Sequence, residues 1–293
     1  MKNNPAVSWQ RVDPSTLDLK GRNVAVIGGT GGIGRAISRS LASRGARVIV
    51  VGRTFRDQGV PGLEFVSADL SLLKEARRVG KELPAESLDL VVLTTGIMAG
   101  MKRQETAEGI EQDMAVSYLS RLVLVREIAP RLGKDRPGDG LRPRVFVMGF
   151  PGYGFAGTAD DLNAEKSYSS MTVHGNTVAG NEMLVLDSAR RYPGVSFFGL
   201  NPGMIESNIR GNMLGEGSFK HRAVEWLIGA LSPSAEKYAE RLAPLFFAPD
   251  LDRHSGAMFN NKAAAVLPTP RLVEPHVSQF IAASEVLASR ALS

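Results

Sequence analysis

The sequence contains no cysteine and only four histidines in 293 residues, and aromatic residues make up 6%. Without cysteine the chain can form no disulfide, thiolate nucleophile or cysteine-based metal site, and four scattered histidines do not favour structural zinc, so we expect no metal. Long apolar runs are also missing, and residues 1–10 are too polar for a signal-peptide core. We expect a globular, cytosolic protein that does not span a membrane.

The chain is basic, with a formal charge of +5, but its 35 lysines and arginines are dispersed. The densest basic group, residues 131–144, also contains Asp135, Asp139 and two prolines, as is typical of a solvated loop. Nucleic-acid binding is therefore not expected. A mildly basic surface fits a small anionic ligand equally well.

The most informative stretch is an apolar run, residues 24–27, followed by five glycines and a helical pattern from Arg35 to Arg44. The run is typical of a buried strand in a parallel sheet, and the spacing of Ile37 and Leu41 indicates an amphipathic helix. Glycines between the strand and the helix allow a tight turn and let backbone N–H groups approach a pyrophosphate. The stretch predicts a dinucleotide-binding turn.

A second strand, residues 46–51, is predicted to end at Gly52-Arg53. A ribose 2′-hydroxyl is usually bound by Asp or Glu about 20 residues beyond the glycines, whereas a 2′-phosphate is bound by Arg. No acidic residue occurs between Gly34 and Asp57, so Arg53 favours NADP(H) over NAD(H). The alternative is that Arg53 is a solvent-exposed arginine in a turn.

Strand and helix patterns alternate along the rest of the chain, which predicts an α/β fold with a doubly wound parallel sheet. We expect an N-terminal arm over 1–20, one domain over 21–293, and a substrate lid near 204–232. Strands are predicted over 24–27, 46–51, 63–66, 88–94, 144–148, 195–200 and 257–259. Helices are predicted over 35–44, 71–83, 106–132, 167–192, 222–231 and 235–247, with one more at the C-terminus.

Several motifs together resemble the short-chain dehydrogenase/reductase superfamily, over nearly all of residues 20–265. They are Gly28-x-x-x-Gly32-Ile33-Gly34, Asp69-Leu70, Gly96-Ile97-Met98, and Asn201-Pro202-Gly203 followed by Ser207. Three further segments resemble the retinol-dehydrogenase-like branch, namely Asp160-Asp161-Leu162, Lys166-Ser167-Tyr168-Ser169 and Ala189-Arg190-Arg191-Tyr192-Pro193.

The resemblance implies a cofactor site at which the glycines hold the pyrophosphate and Arg53 and Arg35 bind the 2′-phosphate. Asp69 would contact adenine, although an Asp or Ser before a helix can also be its cap. Gly96 and Pro202-Gly203 would flank the nicotinamide. The residues expected to bind the cofactor are Gly28, Thr30, Gly31, Gly32, Ile33, Gly34, Arg35, Arg53, Asp69, Leu70, Gly96, Pro202 and Gly203.

The chain departs from this family at its four catalytic positions. The Tyr-x-x-x-Lys window falls on His174 to Val178, the serine position on Gly149 and the asparagine position on Ser117. His174 is the candidate proton donor because imidazole titrates near neutrality, and Ser117 is a second candidate catalytic residue. The alternatives are that His174 is only packed or solvated, or that Tyr168 or Tyr153 donates the proton.

Three functions remain open at this point: an NADP(H)-dependent oxidoreductase with an unusual proton donor, a non-redox cyclase or isomerase, and a catalytically silent cofactor sensor or partner subunit. In the first two the substrate is a small molecule. Members of the family often form dimers or tetramers through helices corresponding to 106–132 and 167–192. The apolar faces of these helices could equally belong to the core.

Overall fold

A computed structural model describes residues 1–137, 141–203 and 234–293. Its centre is a sheet of eight strands in the order β3-β2-β1-β4-β5-β6-β7-β8, of which only the pair β7 and β8 is antiparallel. This confirms the predicted α/β, doubly wound fold. The strands are β1 (Asn23–Ile27), β2 (Arg47–Gly52), β3 (Leu63–Ser67), β4 (Leu90–Leu93), β5 (Arg144–Met148), β6 (Ser196–Leu200), β7 (Met258–Phe259) and β8 (Ala265–Val266).

The central strands are apolar on both faces because helices cover both sides of the sheet. Val26 of β1, for example, lies between Val50 of β2 and Val92 of β4. The helices in chain order are α1 (Gly32–Ala42), α2 (Leu73–Glu82), α3 (the consecutive segments Gln112–Met114, Ala115–Leu119 and Ser120–Ile128), α4 (Ser170–Arg191), α5 (Ala235–Phe246) and α6 (His276–Leu292). Helices α1 and α5 pack on one face, and α2, α3, α4 and α6 pack on the other.

Two features of α3 differ from the sequence-based prediction. The helix begins at Gln112 rather than near Thr106, because Gly109 has a φ of +72° and Glu105 pairs with Glu111 in an isolated bridge. The segment Ala115–Leu119 is a π-helical turn, a feature that is frequent at functional sites. The start predicted at Thr106 was therefore wrong.

Some predicted features lie outside the described residues. These are the lid near 204–232, the helix over 222–231 and the family-like Ser207. Among the helices that the structure describes, none combines the length and the apolar character needed to cross a bilayer.

The C-terminal helix α6 covers the outer side of α3 and α4. The Phe280 ring packs against Tyr118 with 5.9 Å between ring centroids, and the Tyr118 hydroxyl donates a hydrogen bond of 2.9 Å to Ser284. Arg126 of α3 binds Glu285 of α6 and Asp187 of α4. The apolar faces of α3 and α4 are therefore buried by a helix of the same chain.

Candidate active site

The glycine turn joins the end of β1 to the start of α1. Gly28 has a φ of +86°, and a Cβ at this position would lie 2.7 Å from the Thr95 nitrogen. A Cβ at Gly34 would overlap the Gly28 carbonyl and the Thr94 hydroxyl. Only glycine fits at these two positions, since no other residue lets the turn approach the end of β4 so closely.

The middle of the same turn is open. Nothing lies within 4 Å of a Cβ built on Gly31 or Gly32, and Gly31 has no side chain that could cap α1. The first-turn N–H groups of α1 can therefore bind an anion, because a helix N-terminus carries unsatisfied donors and a partial positive charge. The turn has no room for a side chain at Gly28 and Gly34 and has open space at Gly31 and Gly32, an arrangement that fits a pyrophosphate.

We expect Gly34→Ala to destabilise the fold by about 1–3 kcal/mol, because the new methyl group has no room and the core must be overpacked. Gly31→Ala is the matched control, since Gly31 has extended backbone (φ −152°) and open space around it. Thermal unfolding without cofactor should show a lower Tm for Gly34→Ala only, whereas both variants should bind cofactor more weakly. A Gly34→Ala protein as stable as the wild type would contradict this explanation.

Arg53 follows the end of β2, and two arginines of α1 bind the loop after it. Arg53 is exposed, and no group in the described ranges, which omit 138–140 and 204–233, bonds to its side chain. Gly52 places the strand end against Thr30, since a Cβ there would lie 2.7 Å from that side chain. Asp57 nearby is 4% exposed and accepts two bonds from Arg35, of 2.8 and 2.6 Å, and one of 2.7 Å from Arg39.

The hydrogen bonds to Asp57 determine whether its carboxylate can bind a ligand. The hydrogen bonds from Arg35, and then the one from Arg39, hold the pKa of the Asp57 carboxyl below its ordinary value. Both of its oxygens are engaged by guanidinium groups, so this carboxylate is not free to bind ribose hydroxyls. Together Arg35, Arg39, Arg53 and Asp57 carry an excess of two positive charges, which favours a phosphate ligand.

The predicted adenine-contacting pair lies at the end of β3. The Asp69 carboxylate is exposed and accepts a hydrogen bond of 3.0 Å from the Ser71 N–H, while the Leu70 side chain is buried in the core. Neither Asp69 nor Ser71 caps α2, so that alternative was wrong. The Glu108 carboxylate does so instead, because it accepts hydrogen bonds from the Leu73 and Lys74 N–H groups.

Two turns mark the predicted nicotinamide side. Gly96 lies between Thr95, which meets the glycine turn, and Ile97, whose N–H donates a bond of 2.9 Å to the Ser117 hydroxyl. The turn after β6 is closed by a bond of 2.9 Å from the Gly203 N–H to the Asn201 side chain, with Pro202 between them. Both turns follow carboxyl ends of parallel strands, the edge at which open α/β sheets bind ligands.

His174, in the first turns of α4, belongs to a hydrogen-bonded group at this edge. Its Nδ1 lies 2.9 Å from Asp113 Oδ2, and the other oxygen of Asp113 accepts a bond of 2.5 Å from Ser117. Asp113 is fully buried and also accepts a bond of 3.1 Å from the Ala99 N–H, whereas the His174 side chain is 18% exposed. The structure thus brings the two predicted catalytic residues together through a carboxylate.

A buried guanidinium lies beside this group. Arg121 of α3 donates to the carbonyls of Thr95 and Met148, at the ends of β4 and β5, and at 2.8 Å to the Asn181 side chain. Burial lowers the pKa of Arg121 to about 9, and the charge of Asp113 opposes this effect. The site therefore contains a buried positive charge although Val178 stands at the family's lysine position.

The two tyrosines proposed as alternative donors are less suitable. Tyr168 donates its hydroxyl to the Gly100 carbonyl at 2.6 Å, and burial, followed by the charges of Glu111 and Asp113, raises its pKa. A raised pKa makes its hydroxyl a poorer proton donor at neutral pH. Tyr153 is 58% exposed and makes an edge contact with Phe150.

Sequence reasoning missed Asp113 and Arg121. A signal was present, because both residues lie four positions from Ser117 in a helix that is otherwise mostly apolar. Residues at this spacing share one helix face, so the pattern placed an acid, a hydroxyl and a base on the same side of α3.

Comparisons with known proteins identify relatives of the chain. A family model described as short chain dehydrogenase matches residues 22–139. The uncharacterized oxidoreductase YKL107W of Saccharomyces cerevisiae is 49% identical over 295 residues, which cover 99% of this chain and 96% of the yeast protein. Human retinol dehydrogenase 11 is 26% identical over 210 residues, covering 67% of this chain and 64% of that protein.

Among solved structures, the RhlG/NADP active-site complex of Pseudomonas aeruginosa matches with a TM-score of 0.58 and 19% sequence identity. The match covers 87% of this chain and 98% of that chain. At this identity the similarity supports the fold alone.

Proposed function

The chain belongs to the short-chain dehydrogenase/reductase family and is an oxidoreductase of that type, and we propose that it uses NADP(H) to interconvert a carbonyl compound and an alcohol, or a related small molecule such as an imine. The observation that carries this proposal is the position of His174. Its ring lies at the carboxyl edge of the sheet, and its Nδ1 is bonded to a buried carboxylate.

The preference for NADP(H) rests on the charges at the end of β2. Arg53 is an exposed cation without a partner among the described residues, whereas the nearby carboxylate of Asp57 is neutralised by two arginines. A 2′-phosphate would gain charge-assisted hydrogen bonds there. When bound, NADPH would supply the hydride of the reaction.

His174 is proposed as the proton donor because it stands at the tyrosine position of the family and its ring is partly exposed. A positioned acid of this kind contributes typically about 10²–10⁴-fold to the rate. Holding the reactants in the correct geometry contributes more, so the scaffold can be catalytic without the usual tyrosine and lysine.

We further place the chain in the retinol-dehydrogenase-like branch. The support is the three motif segments of the sequence and the match to human retinol dehydrogenase 11. Alcohols and carbonyls attached to apolar chains or rings are therefore the first substrates to test. A single domain over 21–293 and a cytosolic location complete the proposal.

A binding and turnover experiment tests this function. Titration of the 293-residue chain with NADPH and NADH, followed by intrinsic fluorescence, should show binding with a preference for NADPH. Loss of NADPH absorbance should follow with at least one member of a panel of aliphatic, aromatic and polyene aldehydes and ketones. Failure to bind either cofactor would refute the proposal, and binding without turnover across the panel would favour a non-redox enzyme or a cofactor sensor.

A further inference from the structure

Asp113 is a buried ionisable residue that the family pattern does not account for. Its carboxylate is fully buried at the start of α3. Burying a charge is costly unless donors satisfy it, and this carboxylate receives bonds from the Ala99 N–H, the Ser117 hydroxyl and the His174 ring. Three fixed donors place its oxygens at a defined point beside the proposed proton donor.

The bond to Asp113 determines which nitrogen of His174 carries a proton. A carboxylate accepts hydrogen bonds, so Nδ1 must be the protonated nitrogen of the neutral ring. No group in the described residues, which exclude 138–140 and 204–233, bonds Nε2. Nε2 is therefore the atom left to exchange a proton with a substrate.

Ser117 connects this pair to the backbone. Its hydroxyl oxygen accepts the Ile97 N–H at 2.9 Å, and its proton is donated to Asp113 at 2.5 Å. Because Ser117 is bonded to Asp113 and not to His174, it is not paired with a base that could activate it as a nucleophile.

We propose that Asp113 is the positioning residue of the proton donor: it fixes the ring of His174 with Nε2 toward the substrate and stabilises the imidazolium by its charge. This inference rests on the proposed oxidoreductase function. In the reductive direction NADPH would supply a hydride to the carbonyl carbon, and the electron pair of the C=O bond would move to oxygen. That oxygen takes the proton from Nε2, which gives the alcohol, and the neutral ring regains a proton from solvent.

Several charged or titratable groups surround the pair. Glu111 and Arg121 belong to the same stretch of chain as Asp113 and interact with its charge. Tyr168 interacts with Asp113 from a neighbouring loop, and Arg103 interacts with Tyr168 and Glu111. Asp113→Asn removes one negative charge and keeps the size of the side chain, so it isolates the effect of the carboxylate.

The first test measures kcat for reduction in Asp113→Asn at one fixed, neutral pH, together with the Kd for NADPH. At neutral pH kcat should fall by about 10²-fold or more, because an asparagine can also bind the wrong tautomer.

Asp187→Asn is the matched control, since Asp187 is another buried aspartate, bonded to Arg126 and Arg191 away from the site. Its kcat should equal that of the wild type. A kcat of Asp113→Asn that also equals the wild-type value would overturn the proposal.

A second measurement does not depend on turnover. Long-range ¹H–¹⁵N NMR correlations of the wild-type protein report which ring nitrogen carries the proton. The signals of His174 are those that disappear in His174→Gln, and they should show the neutral ring protonated on Nδ1. Finding the proton on Nε2 would overturn the role of Asp113. A protein that shows the expected tautomer but does not bind or oxidise NADPH would refute the proposed function alone.

Discussion

Replacing His174 with alanine is expected to lower kcat by about 10²–10⁴-fold while the affinity for NADPH stays unchanged. The loss corresponds to a removed general acid, since the ring is the titratable group bonded to the buried Asp113 at the carboxyl edge of the sheet. Steady-state NADPH oxidation with the best substrate of the panel gives kcat, and fluorescence titration gives Kd. His174→Gln, which cannot titrate, should lose as much activity as His174→Ala.

His254 provides a matched control for this experiment. It ends the 3-10 helix Pro249–His254, next to Asp252, which binds Arg144 at the amino end of β5. His254 therefore lies at the opposite edge of the sheet, and His254→Ala should leave kcat unchanged. Full activity of His174→Ala would show that another group donates the proton, and Tyr168 would be the next residue to test.

The second large effect is expected for Arg53→Ala, which should weaken NADPH binding by about 1.5–3 kcal/mol, or about 10- to 150-fold in Kd. A 2′-phosphate would lose a charge-assisted hydrogen bond, whereas NADH has no group to lose there. The affinity for NADH should therefore stay the same. Fluorescence titrations with both cofactors at one ionic strength give the two ratios.

The control for Arg53 is Arg47→Ala. Arg47 is exposed at the amino end of β2, six residues before Arg53, which is about 20 Å in an extended chain. Replacing either arginine with alanine changes the net charge equally. A general charge effect would weaken NADPH binding equally in both variants. Equal losses of NADPH and NADH affinity in Arg53→Ala would argue against a 2′-phosphate site.

The parallel sheet was predictable because its strands are short, almost wholly apolar runs. The predicted limits of the fifth strand, residues 144–148, are those of β5, and those of the first strand differ from β1 by one residue. The antiparallel β8 was not predictable, since two residues carry no periodicity and β8 depends on pairing with β7. The start of α3 was missed because the φ of Gly109 is set by the loop and not by any repeat.

The site was predictable in part. The glycine turn is a local feature, so its position follows from adjacent residues, and the roles assigned to its glycines and to Arg53 stay predictions. The bond between Asp113 and His174 joins residues 61 positions apart. No local pattern encodes such a contact, because it exists only once α3 and α4 have packed against each other. The pairing of Arg35 with Asp57 was missed for the same reason, since it depends on the path of the loop after β2.

The position of α6 has a consequence for how this protein responds to its own concentration. When a second molecule covers an apolar helix face, the stability that this contact adds depends on protein concentration and falls on dilution. Here Phe280 and Ser284 complete the faces of α3 and α4 within one chain, so their contribution to folding is unimolecular. The parts of α3 and α4 that α6 covers are therefore not available to a second molecule while α6 is in place.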